Sequence, residues 1–287
     1  MPDLLPEYPQ LSRADAARVR EDYERFAAGG MPAWFEEYIG DRYGLDLKGR
    51  YAGREIRNPF GKASGQLSLA RGQVETDAEA GLGFVVLKTV IAQDESGDQS
   101  MSEWAVKETR MVVEPIAGKE TGRLGWTVTW KGRGWHDTFD AYLQFFREAC
   151  EISTATGLVV APSVKYHLPG PGEDSWNESE YTCTTRRLLE VWRSAGQKGP
   201  MPLEKDFSPT LSGDSRSGQR ATILRWMQTC PALIRGAVEP GSLTLGMKLM
   251  NTLFDESFQH EMIQAQVELG EPDFIVYANR LFDPHKE

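Results

Sequence analysis

Three lysines close three separate apolar runs: Lys88 in "GFVVLKTV" (83–90), Lys165 in "GLVVAPSVKYHL" (157–168) and Lys248 in "SLTLGMKLM" (242–250). A lysine at the end of a buried strand is hard to explain as a solvated surface charge. Three of them suggest a ring of cations around one anionic or electron-rich ligand. Small or polar residues end the other runs. Ala63-Ser64-Gly65 closes the first, Thr89 follows Lys88, Ser208-Pro209 follows "MPLEKDF", and Asn279 closes "DFIVYAN". A serine hydroxyl such as that of Ser208 is a poor base unless its proton can be relayed onward. Asn279 can hydrogen-bond the edge of a ring. His136, His167, His260 and His285 have no metal-ligand spacing, and His260-Glu261 lacks a second histidine four positions on. Metalloprotease chemistry of the H-E-x-x-H type is therefore excluded, and no metal site is expected.

The elements that must hold these residues alternate. Polar helices are expected over 11–29 and 32–43, as an N-terminal extension covering residues 1–50. From residue 51 onward, strands near 58–65, 83–90, 157–168, 201–209, 242–250 and 273–279 are separated mostly by helical segments. The segment around "GRLGWTVTWKGRGW" (122–135) reads as an irregular insertion, with Trp126, Trp130 and Trp135 as a small satellite core. Asp137 is expected to open the helix that follows, with Phe139, Tyr142, Phe145, Phe146 and Ala149 on its apolar face. Asn177 and Glu180 have the spacing of a capping box. Six β/α units without a G-x-G-x-x-G turn favour an α/β fold of the (β/α)8 TIM-barrel type over a doubly wound dinucleotide fold. The barrel is expected to be incomplete, with six of eight units over 51–287.

The totals agree with a soluble enzyme-sized domain. The chain has 287 residues and a formal net charge of −10. That charge argues against a nucleic-acid partner or an anionic membrane surface. Cys150, Cys183 and Cys230 are three in number and in no C-x-x-C pair, which suits a reducing, cytoplasmic setting. The partner expected is a small-molecule substrate, with self-association or a completing polypeptide supplying what six strands leave open.

Five of these segments resemble, in order, the motifs of the dihydroorotate dehydrogenases, FMN-dependent barrel enzymes. "NPFGKASG" is similar to their N-P-x-x-x-A-S/A-G flavin strand, and "GFVVLKT" to their I-T/V-K-S/T strand. "FSPT" is similar to their S-C/S-P-N loop, "GMKLMNTLFD" to their V-K-L-P-P-Y-F-D strand, and "YANRLFD" to their V-N-S/T strand. The resemblance spans roughly residues 54–284. It implies FMN as cofactor, with Ala63, Ser64, Gly65, Lys88, Thr89, Lys248 and Asn279 around it. It makes Ser208 the catalytic base and Lys88 the cation beside the flavin. It also implies oxidation of a dihydropyrimidine-like substrate by hydride transfer, within pyrimidine metabolism. Lys205 and Thr210 stand where that family's fourth-strand asparagines would be, so the substrate is expected to differ from dihydroorotate itself.

Overall fold

In the computed structural model, which describes residues 10–105, 111–117, 122, 124–130, 134–170, 172–207, 220–249 and 256–277, the chain divides into two compact units, 1–47 and 48–287. The first holds α1 (Arg13–Gly29) and α2 (Phe35–Tyr43). Ser12 caps α1, its Oγ accepting from the Asp15 amide at 3.0 Å. Neither helix has a broad apolar face. They are tied instead by buried Asp22, which accepts from Tyr43 at 2.6 Å, Tyr38 at 2.7 Å and Arg42 Nε at 2.8 Å.

The second unit opens with an antiparallel hairpin, β1 (Gly49–Tyr51) and β2 (Arg54–Ile56). Its two turn residues, Ala52 and Gly53, have φ of 49° and 76°, the left-handed pair that a tight two-residue hairpin turn requires. There follow β3 (Gly61–Lys62), α3 (Arg71–Glu79), β4 (Phe84–Val86), β5 (Val90–Ile91), β6 (Met111–Ala117) and β7 (Leu124–Trp130). After these come α4 (Phe139–Thr156), β8 (Val159–Ala161), β9 (Ser163–Lys165), α5 (Glu178–Ser194), β10 (Met201–Asp206), α6 (Arg220–Gly236), β11 (Leu243–Lys248), α7 (Glu256–Leu269) and β12 (Phe274–Val276).

β4 and β5 are halves of one interrupted strand, and so are β8 and β9, which Pro162 separates; β4 pairs with β8 and β5 with β9. Counted this way, six strands run β3, β4–β5, β8–β9, β10, β11, β12, each parallel to the next. A doubly wound sheet reverses its strand order partway, and this one does not. The fold is therefore α/β, with six successive units in (β/α)8-barrel order among the described residues.

The sheet curls. Four steps at the usual strand spacing would separate β4 from β12 by about 19 Å in a flat sheet. Yet the Tyr51 ring lies 4.2 Å from that of Phe84, stacked, and 5.6 Å from that of Phe274, edge-on. Its hydroxyl also donates to Glu204 Oε1 on β10 at 2.6 Å. One side chain of the entry hairpin thus touches three strands and closes the N-terminal floor of the barrel. Gly61 and Gly246 make room for this layer, because a Cβ at either would fall within the ring of Phe84 or Phe274. On the outer face α4, α5 and α6 bury Phe146, Trp192, Trp226 and Met227 against the strands.

Three local expectations are corrected. Within 122–135 the described residues 124–130 are not irregular: β7 pairs with β6 as an antiparallel hairpin, and Trp126 is 71% exposed and belongs to no core. Trp135 instead stacks on Phe145 of α4 at 5.7 Å. Thr138, not Asp137, caps α4, its Oγ1 accepting from Ala141 N at 3.1 Å. Asn177 occupies the cap position of α5 without a side-chain cap bond. The Glu180 carboxylate turns away to accept from the amides of Ser100 and His167, pinning two loops at once.

Candidate functional site

The interruption between β4 and β5 builds the site. At residues 87–89 the backbone leaves the regular ladder: Lys88 N donates to Ser68 O at 2.7 Å, and Thr89 O accepts from Trp135 N at 2.7 Å. A local break of this kind re-aims side chains that strict alternation would send to opposite faces. Lys88 and Thr89 both end buried, Lys88 within electrostatic reach of Asp206 and Lys248. Thr89 Oγ1 lies 2.8 Å from Ser64 Oγ beyond β3, 2.9 Å from Ser163 Oγ on β9, and 2.9 Å from Asp206 Oδ2 on β10. Four successive strands thus meet at one hydroxyl.

Register supplies the rest. On β10, Glu204 pairs with Ser163 and Gly246, and Asp206 pairs with Lys248, so both carboxylates share the inner face with the β11 lysine. All three are buried. Burial pushes the Lys88 ammonium down to about 8; the Asp206 carboxylate opposes that shift and the Lys248 charge adds to it. Burial pushes the Glu204 carboxyl up, against the charge of Lys248 and the hydrogen bond from Tyr51.

The residues expected at the site fare differently. Lys88, Thr89, Lys248 and Ser64 converge as described. Gly65 is half-buried beside Ser64, and Ala63 is exposed. Ser208 and Asn279 lie outside the described residues. Lys165 is buried with its Nζ 4.5 Å over the Trp104 ring, in the loop after β5. Lys205 does not take the pocket-facing place that the resemblance suggests for it. It points to the helical side, where Nζ donates to Asp206 O at 3.1 Å and lies 4.4 Å over Phe207, and burial lowers its pKa. Asp206 holds the inward place instead. His167 is structural: its Nδ1 accepts from Asn177 N at 3.0 Å and its Nε2 faces Glu173 at 3.3 Å.

Asp206, Glu204 and Ser163 were not anticipated. The available signal was the spacing of Glu204 and Asp206, two apart on a strand and hence on one face. Among the described residues no group of three or more His, Cys, Asp or Glu side chains could hold a metal ion. No helix among them is long and apolar enough to cross a membrane.

No family model and no curated protein matches the chain. Among solved structures it is similar to an HMG-CoA lyase from Acenitobacter baumannii in complex with coenzyme A and 3-methylmalate, at a TM-score of 0.41 and 13% identity. The match covers 78% of this chain and 53% of that one. The chain thus spans about half the length of that lyase, and a likeness of this degree assigns no activity.

Proposed function

We propose that the C-terminal mouth of the barrel is the active site of an FMN-dependent oxidoreductase acting on a dihydropyrimidine-like or related cyclic substrate. One observation carries this reading: Lys88 and Lys248 gather around Asp206 at the strand ends, beside the small rim of Ser64 and Gly65. The donor set fits a flavin ring. A buried cation suits the electron-rich N1/C2=O edge, hydroxyls suit its polar rim, and small rim side chains let a flat ring approach the backbone. FMN, when bound, supplies the acceptor for a hydride equivalent from the substrate.

The chain's own residues then orient and polarise. Lys88 holds positive charge where negative charge develops on reduction, and its partial burial strengthens that interaction relative to water. Lys248 places a second cation beside Asp206, so an anionic substrate group finds a complementary field. Tyr51, Phe84 and Phe274 pack together at the opposite end of the strands.

Titration of the purified chain with FMN, followed by quenching of flavin fluorescence and by visible absorbance, tests the reading. Saturable binding that weakens in Lys88→Ala is expected. A chain that leaves FMN fluorescence unchanged while retaining a phosphorylated metabolite on mass analysis would instead mark the two lysines as a phosphate site for another class of barrel enzyme.

A further inference from the structure

The hydroxyl cluster around Thr89 has a direction. A carboxylate only accepts hydrogen bonds, so the single Thr89 proton is committed to Asp206 Oδ2 at 2.9 Å. The Thr89 oxygen, having no second proton, must accept from its other two partners. Ser64 Oγ at 2.8 Å and Ser163 Oγ at 2.9 Å therefore both donate to it. Three hydroxyl protons thus point toward one carboxylate. Ser163 is fully buried, whereas Ser64 is half-buried at the rim and keeps its lone pairs free of an inward obligation.

We propose that Ser64, Thr89 and Asp206 form a proton relay from the mouth of the barrel, with Asp206 as its terminal acceptor. The inference rests on the oxidoreductase reading above and assigns its proton path. As the substrate C–H bond breaks, its proton passes to Ser64 Oγ, the Ser64 proton passes to Thr89 Oγ1, and the Thr89 proton passes to Asp206 Oδ2. The electron pair of that C–H bond becomes the second bond of the product's double bond. The adjoining carbon loses hydride to the oxidant, FMN on the reading above. The net result is a neutral Asp206 and an unsaturated product, and atoms and electrons balance.

The surroundings suit the role. Lys248 lies beside Asp206 on the neighbouring β11, Lys88 acts on it from the β4–β5 break two strands away, and Glu204 shares its own strand and face. The Lys205 ammonium reaches the Asp206 carbonyl from the helical side. Ser163 positions the relay: by occupying a lone pair of Thr89 it leaves that hydroxyl no direction but Asp206. A serine alone is a weak base, and one joined to a carboxylate through a single hydroxyl has somewhere to send its proton. Thr89 and Asp206 are positioning residues in this scheme, and Ser64 is the group that meets the substrate.

Two measurements decide the matter. On the flavin-free protein, infrared spectra through an acid titration should show a protonated-carboxyl band that is absent in Asp206→Asn. Thr89→Val should shift that band, and Thr89→Ser should return it. On the FMN-loaded protein, rapid mixing with whichever of dihydroorotate, dihydrouracil and dihydrothymine reduces the parent should show reduction slowed about 10²–10⁴-fold in Thr89→Val. Thr89→Ser should recover to within about tenfold of the parent, and Asp206→Asn should remove the acid limb of the rate profile. A band indifferent to Thr89→Val, or equal rates in Thr89→Val and Thr89→Ser, would overturn the relay. A protein that binds no FMN, or whose FMN none of these three dihydropyrimidines reduces, overturns the preceding reading, and the infrared result then decides the relay by itself.

Discussion

The two ends of the barrel interior are built on opposite terms. The floor is filled by shape: Tyr51 stacks on Phe84, meets Phe274 edge-on, and needs glycine at positions 61 and 246 to fit. There the Glu204 carboxyl is answered by the Tyr51 hydroxyl. The mouth is filled by charge: Lys88, Asp206 and Lys248 crowd one another while Thr89 gathers hydroxyls from the strands on either side. Buried charge brought together at strand ends destabilises a fold unless it is fully compensated, whereas packed rings stabilise it. The contrast separates the part of the barrel that holds the fold from the part that is free to do chemistry.

Substitutions at the two ends should therefore separate activity from stability. The largest effect is expected from Lys88→Ala. In the FMN-loaded protein it should remove about 2–4 kcal/mol of transition-state stabilisation from flavin reduction. Because it also removes a desolvated ammonium, the urea midpoint should hold or rise. Equal reduction rates in mutant and parent would break the contrast at the mouth.

At the floor the pattern should invert. Tyr51→Phe keeps the ring and deletes the donor to Glu204, which should cost about 1.5–3 kcal/mol of unfolding free energy with little change in flavin affinity. Gly246→Ala forces a methyl into the Phe274 ring and should cost about 1–3 kcal/mol, part of it recovered by adding Phe274→Leu. Denaturant unfolding of the two single variants and the double variant reads both. A Gly246→Ala protein as stable as the parent would show that the floor is loosely packed.

The smallest effect is on the pH dependence of stability. Lys88 sits near 8 in the folded chain and at 10.5 unfolded, so between those values the unfolded state binds the extra proton. Stability should then rise modestly with pH across that window, as the cost of the buried cation disappears, and Lys88→Met should abolish the rise. Urea midpoints measured below pH 8 and near pH 10 check it. A midpoint that falls equally in both proteins would place the Lys88 ammonium in water.

Much of this was legible along the chain. The apolar runs ending in Lys88, Lys165 and Lys248 are strands, and the face Phe139, Tyr142, Phe145, Phe146 and Ala149 is the buried stripe of α4. Strand, helix and apolar face follow from neighbours within a few residues, so composition and period are enough to read them. The inward set was not legible. Lys205 and Asp206 are adjacent and both charged, and only the register of β10 against β9 and β11 sends one to the helices and the other to the mouth. Lys88 and Thr89 both turn inward because the strand breaks between β4 and β5. Tyr51 reaches Glu204 across 153 positions because the sheet curls. The sequence alone determined which apolar runs become the parallel strands and which lysines end them, but not the β1–β2 and β6–β7 hairpins. Tertiary structure decided which side chains share a face, because a one-residue shift of register, invisible in local pattern, exchanges every inward residue for its neighbour.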